Sequence, residues 1–136
     1  MYIYPVAIEL GNEDTAFGVV VHDLPGCYSA GDSMDEALEN TKEAIEFHLE
    51  GLAEQGELPP APSDLKDVAA MDEYKGWVLG FVQIDVEPFL GKSSKINVTL
   101  PNLLTRKIDE FVLTHPEFKN RSNFLQLAAL NTLEKA

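Results

Sequence analysis

Three polar residues at alternate positions near residue 100 are of the types that read DNA bases. Lys95, Asn97 and Thr99 alternate with apolar residues, which is the period of a strand with one polar and one apolar face. Lysine pairs with guanine, asparagine pairs with adenine, and threonine contacts the methyl group of thymine. A two-stranded ribbon fits the major groove, so two copies of this strand paired side by side would present these residues to DNA. In the alternative interpretation the strand only joins two copies, and its polar face is solvated.

The positive charge that DNA binding needs lies in the same part of the chain. Residues 92–136 hold 7 Lys/Arg and 4 Asp/Glu, whereas residues 1–91 hold 3 Lys/Arg and 19 Asp/Glu, so the balances are +3 and −16. Basic side chains neutralise phosphates. Arg121 and Ser122 are candidates for such a contact, because Ser122 is predicted to cap the last helix and a helix start offers free N–H groups. The acidic part would be repelled by nucleic acid and is better suited to a basic protein.

A long acidic helix is the main candidate for that protein contact. The helix is predicted to open at the capping box formed by Ser33 and Glu36. One side carries an apolar stripe, and the other carries six glutamates: Glu36, Glu39, Glu43, Glu46, Glu50 and Glu54. Phe47 lies among them, and an exposed aromatic ring surrounded by charge can anchor an interface. We therefore take Phe47, Glu43 and Glu50 as candidate partner contacts. In the blander interpretation, the glutamates are simply solvated and Phe47 packs under the segment 57–75 or between copies of the chain.

The remaining pattern predicts an α+β chain. Runs rich in β-forming residues flank the acidic helix, at 2–10, 16–21, 27–30 and 77–86. The order β-β-β-α-β describes a small sheet with one main helix. We expect residues 1–88 to form this domain, residues 89–94 to be a linker, and residues 95–136 to form a strand-helix-helix unit.

The strand-helix-helix unit is too small to stand alone. Its helices are predicted from Asn102 to His115 and from Ser122 onward, and the core side of the second is taken as Leu125, Ala128, Ala129 and Leu133. Units of about 40 residues usually need metals, disulfides or oligomerisation. Because Cys27 is the single cysteine of the chain, dimerisation is the remaining route. The acidic domains would supply a second interface if dimers assemble into tetramers.

Several functional classes are disfavoured by the same residues. No apolar run approaches the ~20 residues of a membrane span, so we expect no membrane partner. The lone Cys27 favours a reducing, cytoplasmic compartment. Together with His22 and His48 it matches no common zinc spacing, and we expect neither a metal nor a cofactor.

The acidic domain resembles the HicB antitoxin family. The resemblance is carried by the hairpin run 16–21, by Asp23-Leu24-Pro25-Gly26, by Gly31-Asp32-Ser33, by Glu36-Ala37 with Glu43-Ala44-Ile45, and by the proline-rich exit 58–63. It implies a degenerate, partial RNase H-like domain that binds and blocks a HicA-like, RNA-cleaving toxin. RNase H chemistry needs clustered carboxylates around metal ions. The first strand carries only Glu9, near its end, so we expect no catalysis and no enzyme.

The C-terminal unit resembles the ribbon-helix-helix repressors. The resemblance is carried by the run 95–101, an alternating strand that ends in proline, and by the run 120–125, Asn-Arg-Ser-Asn-Phe-Leu. It implies that Lys95, Asn97 and Thr99 read bases from a dimer, and that Arg121, Ser122 and Asn123 clamp the DNA backbone. The two resemblances together imply an antitoxin that also represses its own operon. The alternative is a ligand-sensing ribbon-helix-helix repressor without a toxin partner.

Overall fold

The chain folds into two compact units, seen in a computed structural model that describes residues 1–135. One unit is Met1–Lys92 and the second begins at Ser93. The first unit contains the strands β1 (Tyr2–Glu9), β2 (Phe17–Val21), β3 (Tyr28–Gly31) and β4 (Val78–Ile84), the helices α1 (Met34–Glu54) and α2 (Leu65–Ala69), and the 3-10 turns Asp72–Tyr74 and Glu87–Phe89. The second contains α3 (Asn102–Thr114) and α4 (Arg121–Lys135). The predicted α+β class is confirmed.

The four strands form one antiparallel sheet in the order β3-β2-β1-β4, with β1 near its centre. Val6 pairs with Val21 of β2 and with Gly80 of β4, and the pairing with β2 begins at that residue. Pro5 lies just before it, where β1 pairs only with β4. Proline has no N–H to donate, and it is tolerated here because one side of the strand has no ladder to supply.

The long helix α1 begins at the predicted cap and packs on the sheet. The Oγ of Ser33 accepts a hydrogen bond from the N–H of Glu36 at 3.1 Å. Ala37, Thr41, Ile45 and Leu49 form its buried stripe. The helix approaches β3 so closely that a Cβ atom at Gly31 would lie 2.4 Å from the nitrogen of Ala37. Only glycine permits that approach, so Gly31 fixes how α1 lies against the sheet.

The opposite face of the sheet is covered by the segment between α1 and β4. Ala7 of β1 packs against Val68 and Tyr74 in a buried cluster. The proline-rich part of this segment is tied down at two points. The Tyr4 hydroxyl donates to the carbonyl of Pro60 at 2.7 Å, and the N–H of Ser63 donates to the Asp23 carboxylate at 2.9 Å. This cover is partial, since Ile3, Tyr28 and Phe81 of the same face are exposed at 50%, 67% and 57%.

The second unit is held by one small cluster of side chains. Ile108 of α3 and Leu130 of α4 are buried. The rings of Phe111, Phe118 and Phe124 pack against one another, with centroids 5.3 to 5.7 Å apart. Aromatic pairs at this separation and tilt are favourable beyond their burial. The two helices and the loop between them are joined by these rings.

The strand predicted for residues 95–100 is absent from the described chain, where residues 91–101 are in neither a helix nor a strand. A strand is defined by its hydrogen bonds to a neighbouring strand, and a single chain offers this segment no partner.

The predicted core side of α4 is also wrong for the single chain. Ala128, Ala129 and Leu133 are exposed, whereas Asn123 and Leu130 are buried, because α3 and the preceding loop cover that other side.

We predict that Ile45→Ala lowers the free energy of unfolding of the first unit by about 2–5 kcal/mol, because Ile45 is fully buried in the middle of α1. Phe47→Ala is the matched control, since it removes a larger side chain from the exposed side of the same helix. It should change stability by less than about 0.5 kcal/mol. Urea unfolding followed by circular dichroism measures both, and equal losses in the two variants would contradict this packing.

Candidate nucleic-acid and protein interfaces

The predicted base-reading residues are all on the surface. Lys95, Asn97 and Thr99 are exposed, and so are the apolar residues between them, Ile96 at 80% and Val98 at 61%. An extended segment that exposes both faces has apolar surface without cover. The three polar side chains are therefore free of the chain's own packing, and the two apolar ones are available to a second copy.

Asn120, rather than Ser122, caps α4. The Oδ1 of Asn120 accepts the N–H of Asn123 at 2.8 Å, and the Asn120 carbonyl accepts the N–H of Phe124 at 3.0 Å. The prediction that Ser122 caps this helix is wrong, because asparagine is as good a cap as serine and comes first along the chain. Ser122 lies in the first turn and is exposed, so its hydroxyl still faces solvent beside Arg121.

Asn123 occupies a structural position at the same helix start. The residue is only 8% exposed, and its Oδ1 accepts the N–H of Lys119 at 3.2 Å. Its own N–H is engaged by Asn120. Little of Asn123 is therefore exposed for the predicted contact with a DNA backbone. The side chain shapes the loop between α3 and α4 and thereby places Arg121 and Ser122.

The guanidinium of Arg121 is already paired with a carboxylate. Its Nε donates to Asp109 Oδ1 at 3.0 Å, and its Nη2 donates to Asp109 Oδ2 at 2.6 Å. This hydrogen bond, and then the charge of Arg121, hold the pKa of Asp109 below its ordinary value, and the same contact raises the pKa of Arg121. Sequence reasoning missed Asp109, since it lies on another helix and its distance from Arg121 depends on the intervening loop.

The glutamate side of α1 faces solvent. Glu43 and Glu50 are exposed, and Phe47 between them is exposed at 80%. The interpretation that packs Phe47 under the segment 57–75 is therefore wrong. A large apolar side chain left in water within a charged surface is a position where a partner would gain apolar burial.

The titratable residues of the segment 22–27, which include His22 and Cys27, make contacts within the chain or are buried. Cys27 is buried, and that burial raises the pKa of its thiol. His22 Nδ1 lies 3.0 Å from the Tyr74 hydroxyl. Asp23 accepts two hydrogen bonds from Ser63, one from its N–H and one from its hydroxyl. Within residues 1–135 there is no group of three His, Cys, Asp or Glu side chains placed to hold a metal ion.

Comparison with known proteins identifies the family. Residues 4–129 match the family described as the HicB_like antitoxin of bacterial toxin-antitoxin systems. The chain belongs to this HicB-like antitoxin family. An uncharacterised 14.9 kDa protein from the rep-hol intergenic region of Haemophilus phage HP1 is 46% identical over 98% of this chain and 99% of its own length.

Two solved structures are similar to this HicB-like chain. The antitoxin HicB of Burkholderia pseudomallei matches with a TM-score of 0.84 at 37% identity, over 98% of this chain and 99% of that one. The HicA3 and HicB3 toxin-antitoxin complex contains a chain that matches with a TM-score of 0.53 at 35% identity, over 61% of this chain and 98% of that one. Within residues 1–135, no helix of the HicB-like chain is both long and apolar enough to cross a bilayer.

We predict that Asn120→Ala destabilises the start of α4 by about 1 kcal/mol, the usual cost of losing a helix cap. Ser122→Ala, two residues later in the exposed first turn, is the control and should stay within about 0.5 kcal/mol of the parent. Amide hydrogen exchange of the α4 residues reports the change locally. Faster exchange in Ser122→Ala than in Asn120→Ala would show that Ser122, and not Asn120, caps α4.

Proposed function

We propose that this chain is the antitoxin of a type II toxin-antitoxin pair, which binds and inhibits a HicA-like, mRNA-cleaving toxin and represses its own operon. The acidic unit would bind the toxin, and the unit from Ser93 onward would bind operator DNA as a dimer. In this proposal the chain has no catalytic role and needs no cofactor, and it acts in the cytoplasm. The observation that carries the toxin contact is the exposure of Phe47, at 80%, within the glutamate side of α1.

The toxin arm of the proposal rests on charge and on one relative. Residues 1–91 carry a balance of −16, and a toxin that binds RNA presents a positive surface that such an acidic face attracts. Electrostatic complementarity mainly speeds association and selects the partner, whereas the buried anchor supplies affinity. The similar HicB3 chain was solved in complex with its toxin HicA3, which supports a HicA-like partner here.

The DNA arm rests on the segment 95–100. Its polar side chains are exposed, and Ile96 and Val98 beside them lack apolar cover. Antiparallel pairing with a second copy would complete a strand ladder, cover the apolar face and direct the polar face outward, because alternate residues of a strand point to opposite faces. The resulting ribbon has the size that enters a major groove.

The experiment that tests the whole proposal is a pull-down of the tagged chain from its native host, followed by mass spectrometry. We expect a stoichiometric basic protein with the size of one small domain, together with binding of the chain to DNA upstream of its own coding sequence. Binding to that DNA without any protein partner would instead favour the ligand-sensing repressor. Cleavage of RNA by the pure chain would contradict a non-catalytic antitoxin.

We predict that Phe47→Ala weakens toxin binding by about 2 kcal/mol or more, roughly thirtyfold, as truncation of an interface anchor does. Phe81→Ala removes another exposed phenylalanine of the same unit, on β4, and should leave the affinity unchanged. Glu43→Gln and Glu50→Gln should mainly slow association at low salt. Calorimetry and stopped-flow mixing measure these effects. Loss of binding in Phe81→Ala alone would place the interface on the sheet instead of on α1.

We predict that Asn97→Ala relaxes base discrimination at one position of the operator and costs about 1–3 kcal/mol there, because a bidentate contact to adenine is lost. Toxin binding should not change. Lys92→Ala is the control, since loss of one charge outside the predicted strand should weaken all sequences alike. Binding to a library of single-base operator variants measures both. A uniform loss in Asn97→Ala would mean that this side chain reads no base.

A further inference from the structure

Arg121, which we propose as a phosphate contact, is paired with a carboxylate of the same chain. Arg121 lies at the first position of α4, and both arms of its contact with Asp109 are hydrogen bonds of 3.0 Å or less. The two side chains are about half exposed, at 50% and 47%. The pair is therefore on the surface, where another anion has access to the guanidinium.

A carboxylate and a phosphate present the same acceptor geometry to arginine. The guanidinium fork binds either of them through two parallel hydrogen bonds. Here Nε and one terminal nitrogen are both directed at Asp109, so that edge of the fork is occupied. A phosphate that takes this edge must displace the carboxylate, and the freed carboxylate then repels the DNA backbone.

We propose that Asp109 is an intramolecular competitor of DNA for Arg121, and that it lowers the affinity of the chain for DNA of any sequence. This inference rests on the proposed DNA-binding function. It assigns a role to a residue on α3 that reads no base. Asp109 restrains the sequence-independent part of binding, so the contacts of the base-reading strand account for a larger share of the discrimination between sequences.

The charge balance makes this single pair consequential. Residues 92–136 carry seven basic and four acidic residues, a balance of +3, and the whole chain is at −13. Sequence-independent DNA binding depends on the number of phosphates that are neutralised. Arg121 is one of these seven basic residues, so masking or releasing its guanidinium changes the charge available to phosphates by about one part in seven in each chain.

A neighbouring glutamate provides a matched control. Glu110 is the next residue on α3, is exposed, and pairs with Lys107 at 3.7 Å within the same helix. Glu110→Gln removes the same negative charge as Asp109→Asn while the Arg121 pair is kept. Arg121→Gln, alone and combined with Asp109→Asn, completes a double-mutant cycle. Asp109→Ala removes the acceptor altogether and gives a second variant of the key position.

The experiment measures binding of the full chain to a duplex of random sequence, about two helical turns long, across ~50 to 200 mM salt. Asp109→Asn and Asp109→Ala should bind about two- to fivefold more tightly than the parent, the range expected when an exposed ion pair is released. The slope of log affinity against log salt should steepen by about 0.9 for each bound chain. Glu110→Gln should show less than half of this gain, and Arg121→Gln should abolish the effect of Asp109→Asn.

Other outcomes would overturn the inference. Weaker binding by Asp109→Asn would make Asp109 a residue that positions Arg121 for DNA. An equal gain in DNA affinity in Glu110→Gln, or a gain that persists in the Arg121→Gln background, would mean that overall charge, and not the Asp109–Arg121 pair, causes the effect. Circular dichroism verifies that each variant is folded.

The DNA upstream of the chain's own coding sequence serves as a second probe. If the parent binds this DNA and Asp109→Asn behaves like the parent on both probes, the inference about Asp109 is wrong and the proposed DNA-binding function stands. If the parent and every variant bind neither probe, the proposed DNA-binding function fails and the inference fails with it.

Discussion

Apolar surface without cover in the C-terminal unit is the constraint on which the proposed DNA-binding function depends. Ile96, Val98 and Leu133 are mostly exposed in the single chain, and α3 adds further exposed leucines, Leu103, Leu104 and Leu113. Burial of one such side chain is worth about 1.5–3 kcal/mol. A second copy that covered several of them would supply free energy that so small a unit lacks. The same pairing would turn the polar side chains of residues 95–99 outward, so assembly and DNA recognition would arise from one alternating pattern.

The acidic unit, in contrast, buries an apolar core within one chain. Helix α1 packs on one face of the sheet, and the segment between α1 and β4 packs over Ala7 on the other face. Because folding of this unit does not use the outer side of α1, that side is free to vary with the partner. The six glutamates of that side are spaced three or four residues apart, so neighbouring like charges repel each other at a cost of about 0.2–0.5 kcal/mol per pair. Phe47, exposed at 80% among these glutamates, is the side chain of this face that would gain most from burial against a partner.

Local patterns predicted the fold well where a few adjacent residues decide the structure. The Ser33 cap follows from the Ser-x-x-Glu sequence, and the strands of the sheet follow from runs of β-forming residues bounded by turns. The predictions failed where the outcome depends on distant residues. Whether residues 95–100 form a strand depends on a partner strand, which the single chain does not offer. The buried side of α4 depends on how α3 crosses it, and periodicity alone does not say which of two apolar sides faces inward. Asn120 and Ser122 are equally good cap residues, so the sequence alone does not say which of them caps α4.

The acidic and basic parts of the chain have opposite effects on its affinity for DNA. With a formal charge of −13, the chain as a whole is repelled by a phosphate backbone at long range. Screening confines that repulsion to about 10 Å at ordinary salt, so acidic residues farther from the duplex count for little. Close contacts must then supply the affinity, and the cations available for them are few. Under these conditions the partner of each guanidinium would matter as well as the total charge, since a guanidinium paired with a carboxylate offers a phosphate fewer free donors and less net charge.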